Sequence, residues 1–317
     1  MVNLTNFQNN VTRPASNLNT LNLKLVWITI LTPTLICFLC FFYVIVIILK
    51  VFFTAPHVQE NGRYVLFVHM LINDSMYLTL AMVLLVSSLY DVFFPISICY
   101  LLVTASSVSF KVTPLNLAVM SLERYVAICF PLRHAEFCTS RKSGIAIMII
   151  WTVGLIPHIA DIIILASVVK SGYFSHYVLC SRASFLNTPA QSFLRSFGHA
   201  MTFSMVGLVI VFTYVRIMVV ALKIDSRKGS ASKAGKTVML HAVQLLLCVT
   251  AFAYPIIEMY LLQYTLLIPV INFCLFMFLP RFLSPLIYGI RDNVFREYIR
   301  RYFFCIPVRI NSTPPTD

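Results

Sequence analysis

MSLERYVAICFPLRH, residues Met120 to His134, stands at a distance from Cys99 that decides the fold. Arg124 lies 25 residues after Cys99. A helix rising ~1.5 Å per residue separates the two by about 38 Å. A bilayer's hydrocarbon core is ~30 Å thick, so such a helix has one end in each aqueous compartment. One helix therefore carries a cysteine at one face of a membrane and Glu123-Arg124-Tyr125 at the other.

Composition agrees. The chain is 59% hydrophobic and 11% charged, with a mean hydropathy of +0.86, against the ~25% charge of soluble domains. Seven apolar stretches follow one another: 25–49, 64–90, 98–122, 143–168, 198–222, 238–262 and 266–290. Only Gln263-Tyr264-Thr265 separates the last two. Fused into one helix they would be about 80 Å long, so they cross twice. The expected fold is an all-α, seven-helix membrane bundle over 25–290. An N-terminal tail (1–24) precedes it, and a helix over 291–305 and a tail (306–317) follow.

Basic residues orient the bundle. With the N-terminus outside, the inner segments collect seventeen of the 24 Lys and Arg, and the outer segments hold five: Arg13, Lys24, Lys170, Arg182 and Arg195. This bias matches the positive-inside rule. The net charge of +13 thus reads as topology and contact with anionic inner-leaflet lipid, not as a nucleic-acid surface. The first apolar run is too long for a cleaved signal peptide and is expected to act as signal-anchor and first helix together. The sequons at Asn3 and Asn10 then fall in an outer tail open to glycosylation.

A cysteine at one end of the third helix and Glu123-Arg124-Tyr125 at the other resemble a rhodopsin-like G-protein-coupled receptor. VAICFPLRH narrows the likeness to the odorant-receptor branch, whose signature reads close to DRYVAICxPLxY. Glu123 stands for its aspartate and His134 for its tyrosine, both resembling fish-type odorant receptors. KAGKTVMLHA, Lys233 to Ala242, resembles the branch's sixth-helix start, KAxxTCxxH, with Val238 for its cysteine. Ser284-Pro285-Leu286-Ile287-Tyr288 resembles the family's Asn-Pro-x-x-Tyr.

The resemblance implies a small odorant as ligand, a stimulatory, olfactory-type heterotrimeric G protein as partner, and a multi-pass plasma-membrane location. It implies no cofactor, and the oligomeric state stays open. Its switch comprises Glu123, Arg124, Tyr125, Pro131, Leu132, Tyr214, Pro285 and Tyr288. Glu123 holds the Arg124 guanidinium at rest, and separation of the pair frees it for the G protein. Arginine suits this because it is always charged and presents a rigid fork of donors. Pro285 removes a backbone donor and makes a hinge.

Of nine cysteines, only Cys99 and Cys180 fall in segments on the oxidising side. They match the disulfide common to this receptor class; the alternative is two free thiols. No Cys/His spacing suggests a metal site. Phe295, Ile299, Tyr302 and Phe303 share one face of an amphipathic helix in the inner interface. Cys305 follows it as a palmitoylation candidate.

Charges inside the membrane are costly unless partnered. Asp74 and Arg281 lie at about the same depth and are expected to pair, with Asn73 and Ser284 beside them. Lys111 lies about 18 Å below Cys99 by helical rise. It meets an anionic or polar ligand, or forms an internal salt bridge with Asp161; Glu258 is the other available counter-ion. Ser106 occupies the position of the amine receptors' aspartate, which disfavours an amine ligand. Phe110 and Tyr254 complete the candidate cavity.

Two rival readings remain. One is a receptor of the same fold for a non-odorant ligand. The other is a transporter or channel, which would show inverted repeats and broken helix pairs. An enzyme has no support from any G-x-S-x-G, H-E-x-x-H or glycine-rich phosphate loop.

Overall fold

The computed structural model describes residues 20–54, 56–170, 172–181, 184–185, 188–224, 239, 273–279 and 281–283. The chain divides into two compact units, Met1–Phe41 and Phe42–Asp317. Helix α1 spans Thr20–Thr54. After it come the short α2 (Pro56–Gln59), α3 (Gly62–Leu89), strand β1 (Phe93–Pro95), α4 (Ile96–Cys129) and α5 (Pro131–Phe137). Then follow α6 (Ser140–Val168), a 3-10 turn (Tyr173–Ser175), β2 (Tyr177–Leu179), α7 (Pro189–Ile224) and a π-helical segment (Phe273–Phe278).

Among the described residues, five helices have spans long and apolar enough to cross a membrane: Thr34–Thr54, Gly62–Ser88, Ile96–Cys129, Ser140–Val168 and Pro189–Val220. These occupy the first five predicted stretches. The sixth stretch (except Met239), most of the seventh and the helix predicted over 291–305 lie outside the described residues, as do Asn3, Asn10, Tyr254, Glu258, Pro285, Tyr288 and Cys305.

Three helices, α3, α6 and α7, start ahead of the apolar stretches because polar caps, not hydropathy, set their N-termini. Asn61 accepts from the Arg63 amide at the start of α3, and Thr139 does the same for α6 through Lys142. At α7, Thr188 and Gln191 exchange backbone-to-side-chain bonds of 3.0 and 3.2 Å, a reciprocal cap. That cap starts α7 at Pro189 rather than at 198.

Within the second unit α4 is central and packs against α3, α6 and α7. Leu66, Phe67, Met70 and Leu71 of α3 interdigitate with Val108, Val112, Leu115 and Leu117 of α4. A polar knot joins α3, α4 and α6. Trp151 donates to His69 Nε2 at 2.9 Å, so Nδ1–H faces Asn116 Oδ1 at 3.4 Å, and Asn116 donates onward to the Leu66 carbonyl at 2.9 Å. Ile149, Ile156 and Ile163 on α6 and Leu208 on α7 are exposed, as befits helices whose solvent on that side is hydrocarbon.

Cys99 and Cys180 form a disulfide at the start of α4, across a sequence separation of 81. The chain before Cys180 is braced without further cysteines. β2 pairs antiparallel with β1 in the register Phe93↔Leu179, Phe94↔Val178 and Pro95↔Tyr177. Ile96, Tyr100, Leu165 and Phe185 pack around the disulfide. The 3-10 turn is entered through Gly172 at φ 88, a left-handed conformation that only glycine adopts without steric cost.

Candidate functional site

Among the described residues, the predicted site residues fall in three clusters along α4, apart from the Asn116 knot: one near its end at Arg124, one midway, and one below the disulfide.

At the Arg124 end, Glu123 is 8% exposed and holds two partners. Its Oε2 lies 3.6 Å from Arg124 Nε, and its Oε1 lies 3.0 Å from His134 Nε2. The shorter contact is therefore to His134. The two departures from the signature, Glu123 and His134, face each other across the turn at Phe130. Tyr125 packs edge-on against Phe130 and Phe212, with ring centroids 5.7 Å apart in each case. Pro131 opens α5 where its missing amide costs nothing. Leu132 beside it is 98% exposed, and Tyr214 stands half-buried on α7.

Cys138 caps α5 by donating its amide to the His134 carbonyl at 2.9 Å. Burial holds the Cys138 thiol above its ordinary pKa, the Glu123 carboxylate adds to the effect, and Lys142 opposes it. Ligand-capable atoms of Glu123, His134 and Cys138 all lie within 4.8 Å of one another. No Cys/His spacing in the sequence signalled this group, because its carboxylate comes from another helix.

Midway, Asp74 and Arg281 are 0% and 1% exposed. Arg281 Nε lies 3.6 Å from Asp74 Oδ1. Thr113 donates to the same oxygen at 2.7 Å. Asn73, placed beside the pair by the sequence, donates to Thr113 Oγ1 and the Ser109 carbonyl, both at 3.0 Å. The guanidinium stacks 3.7 Å above the centre of the Tyr77 ring and 5.4 Å from that of Phe110, a desolvated cation–π arrangement. Ser284 lies outside the described residues.

Below the disulfide, α4, α6 and α7 line a small cavity of ≈ 20 Å³, room for about one ordered water. Thr104, Ser107 and Lys111 face it from α4 at helical spacing, His158 and Asp161 from α6, and Arg195 and His199 from α7. The sequence leaves Lys111 to meet either a ligand or Asp161, and the ion pair described at Asp161 is with another residue. The Asp161 carboxylate is instead forked by Arg195, with Nε to Oδ1 at 3.0 Å and Nη2 to Oδ2 at 3.2 Å, and Tyr100 also donates to it at 3.2 Å. The capped start of α7 brings Arg195 inward from the outer segment to which hydropathy assigns it. Lys111 is 2% exposed, and its Nζ lies 3.7 Å from where a Cβ on Gly198 would stand.

Ser106 is half-buried and outside the described lining, one position round the helix from Ser107. Phe110 lies deeper, between His199, Phe203, Tyr77 and Arg281. It separates the cavity from the midway ion pair. Arg195, His158 and His199 were not singled out from sequence. The i, i+4 placement of Arg195 and His199 on one face was the signal available.

Residues 43–288 match the 7 transmembrane receptor (rhodopsin family) model. The chain is 31% identical over 258 residues to odorant receptor 131-2 of Danio rerio, covering 80% of this chain and 79% of that protein. It is 29% identical over 205 residues to human olfactory receptor 52A5, covering 59% of this chain and 62% of the relative. Against human olfactory receptor 6Y1 it is 25% identical over 207 residues, covering 60% and 59%. The match thus spans about three fifths of each human receptor.

Proposed function

The chain belongs to the rhodopsin family of seven-transmembrane receptors, and on that premise we propose that it is an odorant receptor whose ligand enters below the disulfide and whose G protein docks at the Arg124 end. The receptor lies in the plasma membrane with its N-terminus outside. Its two ends are linked through one 34-residue helix, α4, which carries Cys99 near its start, Lys111 at its middle and Arg124 near its end. That placement is the observation on which the reading rests.

The ligand class follows from the lining. Among the described residues, the lining carries the charged groups of Lys111, Arg195 and Asp161, with His158 and His199 adding donors or acceptors. Lys111 brings an ammonium to that lining, and a ligand carboxylate buried beside an ammonium limits the desolvation cost of both, which favours an acid-bearing odorant. The cavity is small as it stands, so ligand entry parts α4, α6 and α7.

Movement of α4 then reaches Arg124 through Phe110 and the Asp74–Arg281 pair. At the far end, Arg124 leaves Glu123 and meets a stimulatory, olfactory-type G protein. The fully exposed Leu132 offers that partner an apolar anchor beside Pro131. Tyr214, Pro285 and Tyr288 complete the switch. Asn3 and Asn10 are the receptor's glycosylation sites and Cys305 its acyl site.

A cyclic-AMP reporter screen in transfected cells tests this, with amino acids, bile acids, nucleotides and neutral volatiles as ligands. Acid-bearing compounds should activate the receptor, and Lys111→Met should abolish those responses at unchanged surface expression. Activation by neutral volatiles alone, unaffected by Lys111→Met, would overturn the ligand class.

A further inference from the structure

We infer that Glu123, His134 and Cys138 form a binding site for one borderline-soft divalent transition metal ion, of which zinc is the type. A carboxylate oxygen, an imidazole nitrogen and a thiol sulfur converge from two segments, with all three ligand atoms within 4.8 Å. In a tetrahedral zinc site with bonds of ~2.0–2.3 Å, ligand atoms stand ~3.3–3.8 Å apart. Closing the triangle thus asks for a side-chain shift of about 1 Å, within reach of a Glu or Cys rotamer adjustment.

The chemistry of the set selects the ion. A mixed N, O, S donor set suits zinc or cobalt and disfavours calcium and magnesium, which take oxygen ligands. Carboxylate and thiolate together supply two negative charges, which neutralise the ion in a partly buried setting. Glu123 is buried, while His134 and Cys138 are half-buried, so an ion has a path in. On binding, the Cys138 thiol gives up its proton to solvent, and water takes the fourth position.

The backbone holding the ligands is braced. The His134 carbonyl accepts the Cys138 amide at 2.9 Å. Thr139 bridges to Asn61, and the Cys138 carbonyl lies 2.7 Å from where a Cβ on Gly62 would be, so only glycine allows this approach. The site shares Glu123 with Arg124, whose Nε lies 3.6 Å from the other carboxylate oxygen. An ion held by Glu123 neutralises that carboxylate and so weakens its hold on the guanidinium. The consequence for signalling rests on the function proposed above; metal binding does not.

Cobalt(II) titration of the reduced full-length receptor in lipid nanodiscs tests the site through the near-ultraviolet thiolate-to-cobalt charge-transfer band. The wild type should show the band and lose it on adding zinc. Cys138→Ser should lack it, His134→Gln should bind more than ~10-fold more weakly, and Cys129→Ser should keep it. No band in the wild type, or a band retained in Cys138→Ser, would overturn the proposal. A second measurement needs no variant: zinc should slow alkylation of Cys138, read by mass spectrometry, relative to Cys129. Equal alkylation of Cys138 with and without zinc would equally refute the site.

Discussion

Replacing Arg281 with methionine tests the midway ion pair. Arg281 and Asp74 are both fully buried, and Arg281 Nε lies 3.6 Å from the carboxylate. At an effective dielectric of ~20, unit charges at that separation attract by about 4–5 kcal/mol. This agrees with the ~3–5 kcal/mol measured when one partner of a buried pair is removed. Thr113 keeps its bond to Asp74, so the lower half of that range is expected. A loss of about 3–4 kcal/mol corresponds to roughly 4–6 °C in Tm for a chain of this size, at ~2.1 cal/mol/K of unfolding entropy per residue. Thermal unfolding of purified receptor in detergent, followed by tryptophan fluorescence, reads it directly. Asp74→Asn added to Arg281→Met removes the stranded charge and should recover most of the loss. The charge swap, Asp74→Arg with Arg281→Asp, should recover part. A single-mutant loss below about 1 kcal/mol, or a double mutant no better than Arg281→Met, would refute the pairing.

Cys99→Ser and Cys180→Ser should each reduce surface expression, and the double mutant should be no worse than either, because both remove one disulfide; additive losses would contradict this. Gly62→Ala places a methyl group against Ser143 Oγ and the Cys138 carbonyl. It should destabilise the receptor by ~1–3 kcal/mol in thermal unfolding. Asp161→Asn should lower stability by leaving Arg195 less well paired, and Arg195→Met should rescue it. Rescue by Lys111→Met instead would restore the Lys111–Asp161 pairing read from sequence.

The sequence displayed whatever depends on distance along one helix. The spacing from Cys99 to Arg124 marks the length of α4, and the shared depth of Asp74 and Arg281 brings that pair to mid-helix. Contacts that depend on rotation about helices, or on where a capped helix begins, were not legible. Arg195 reads as a loop charge until the Thr188–Gln191 cap starts α7 nine residues ahead of the apolar stretch, turning it onto Asp161. Ser106 and Ser107 are equivalent by depth, and only the rotation of α4 selects Ser107. Glu123 and His134 read as two separate departures from a signature. The turn at Phe130 makes them one contact and adds Cys138 to it.

The central claim is that Arg124 couples ligand binding to a G protein, and it is tested most directly by ligand-driven cyclic-AMP production in cells expressing Arg124→Ala, normalised to labelled surface receptor. The account predicts near-complete loss of the response with surface expression largely intact. A normal response from this variant would contradict it.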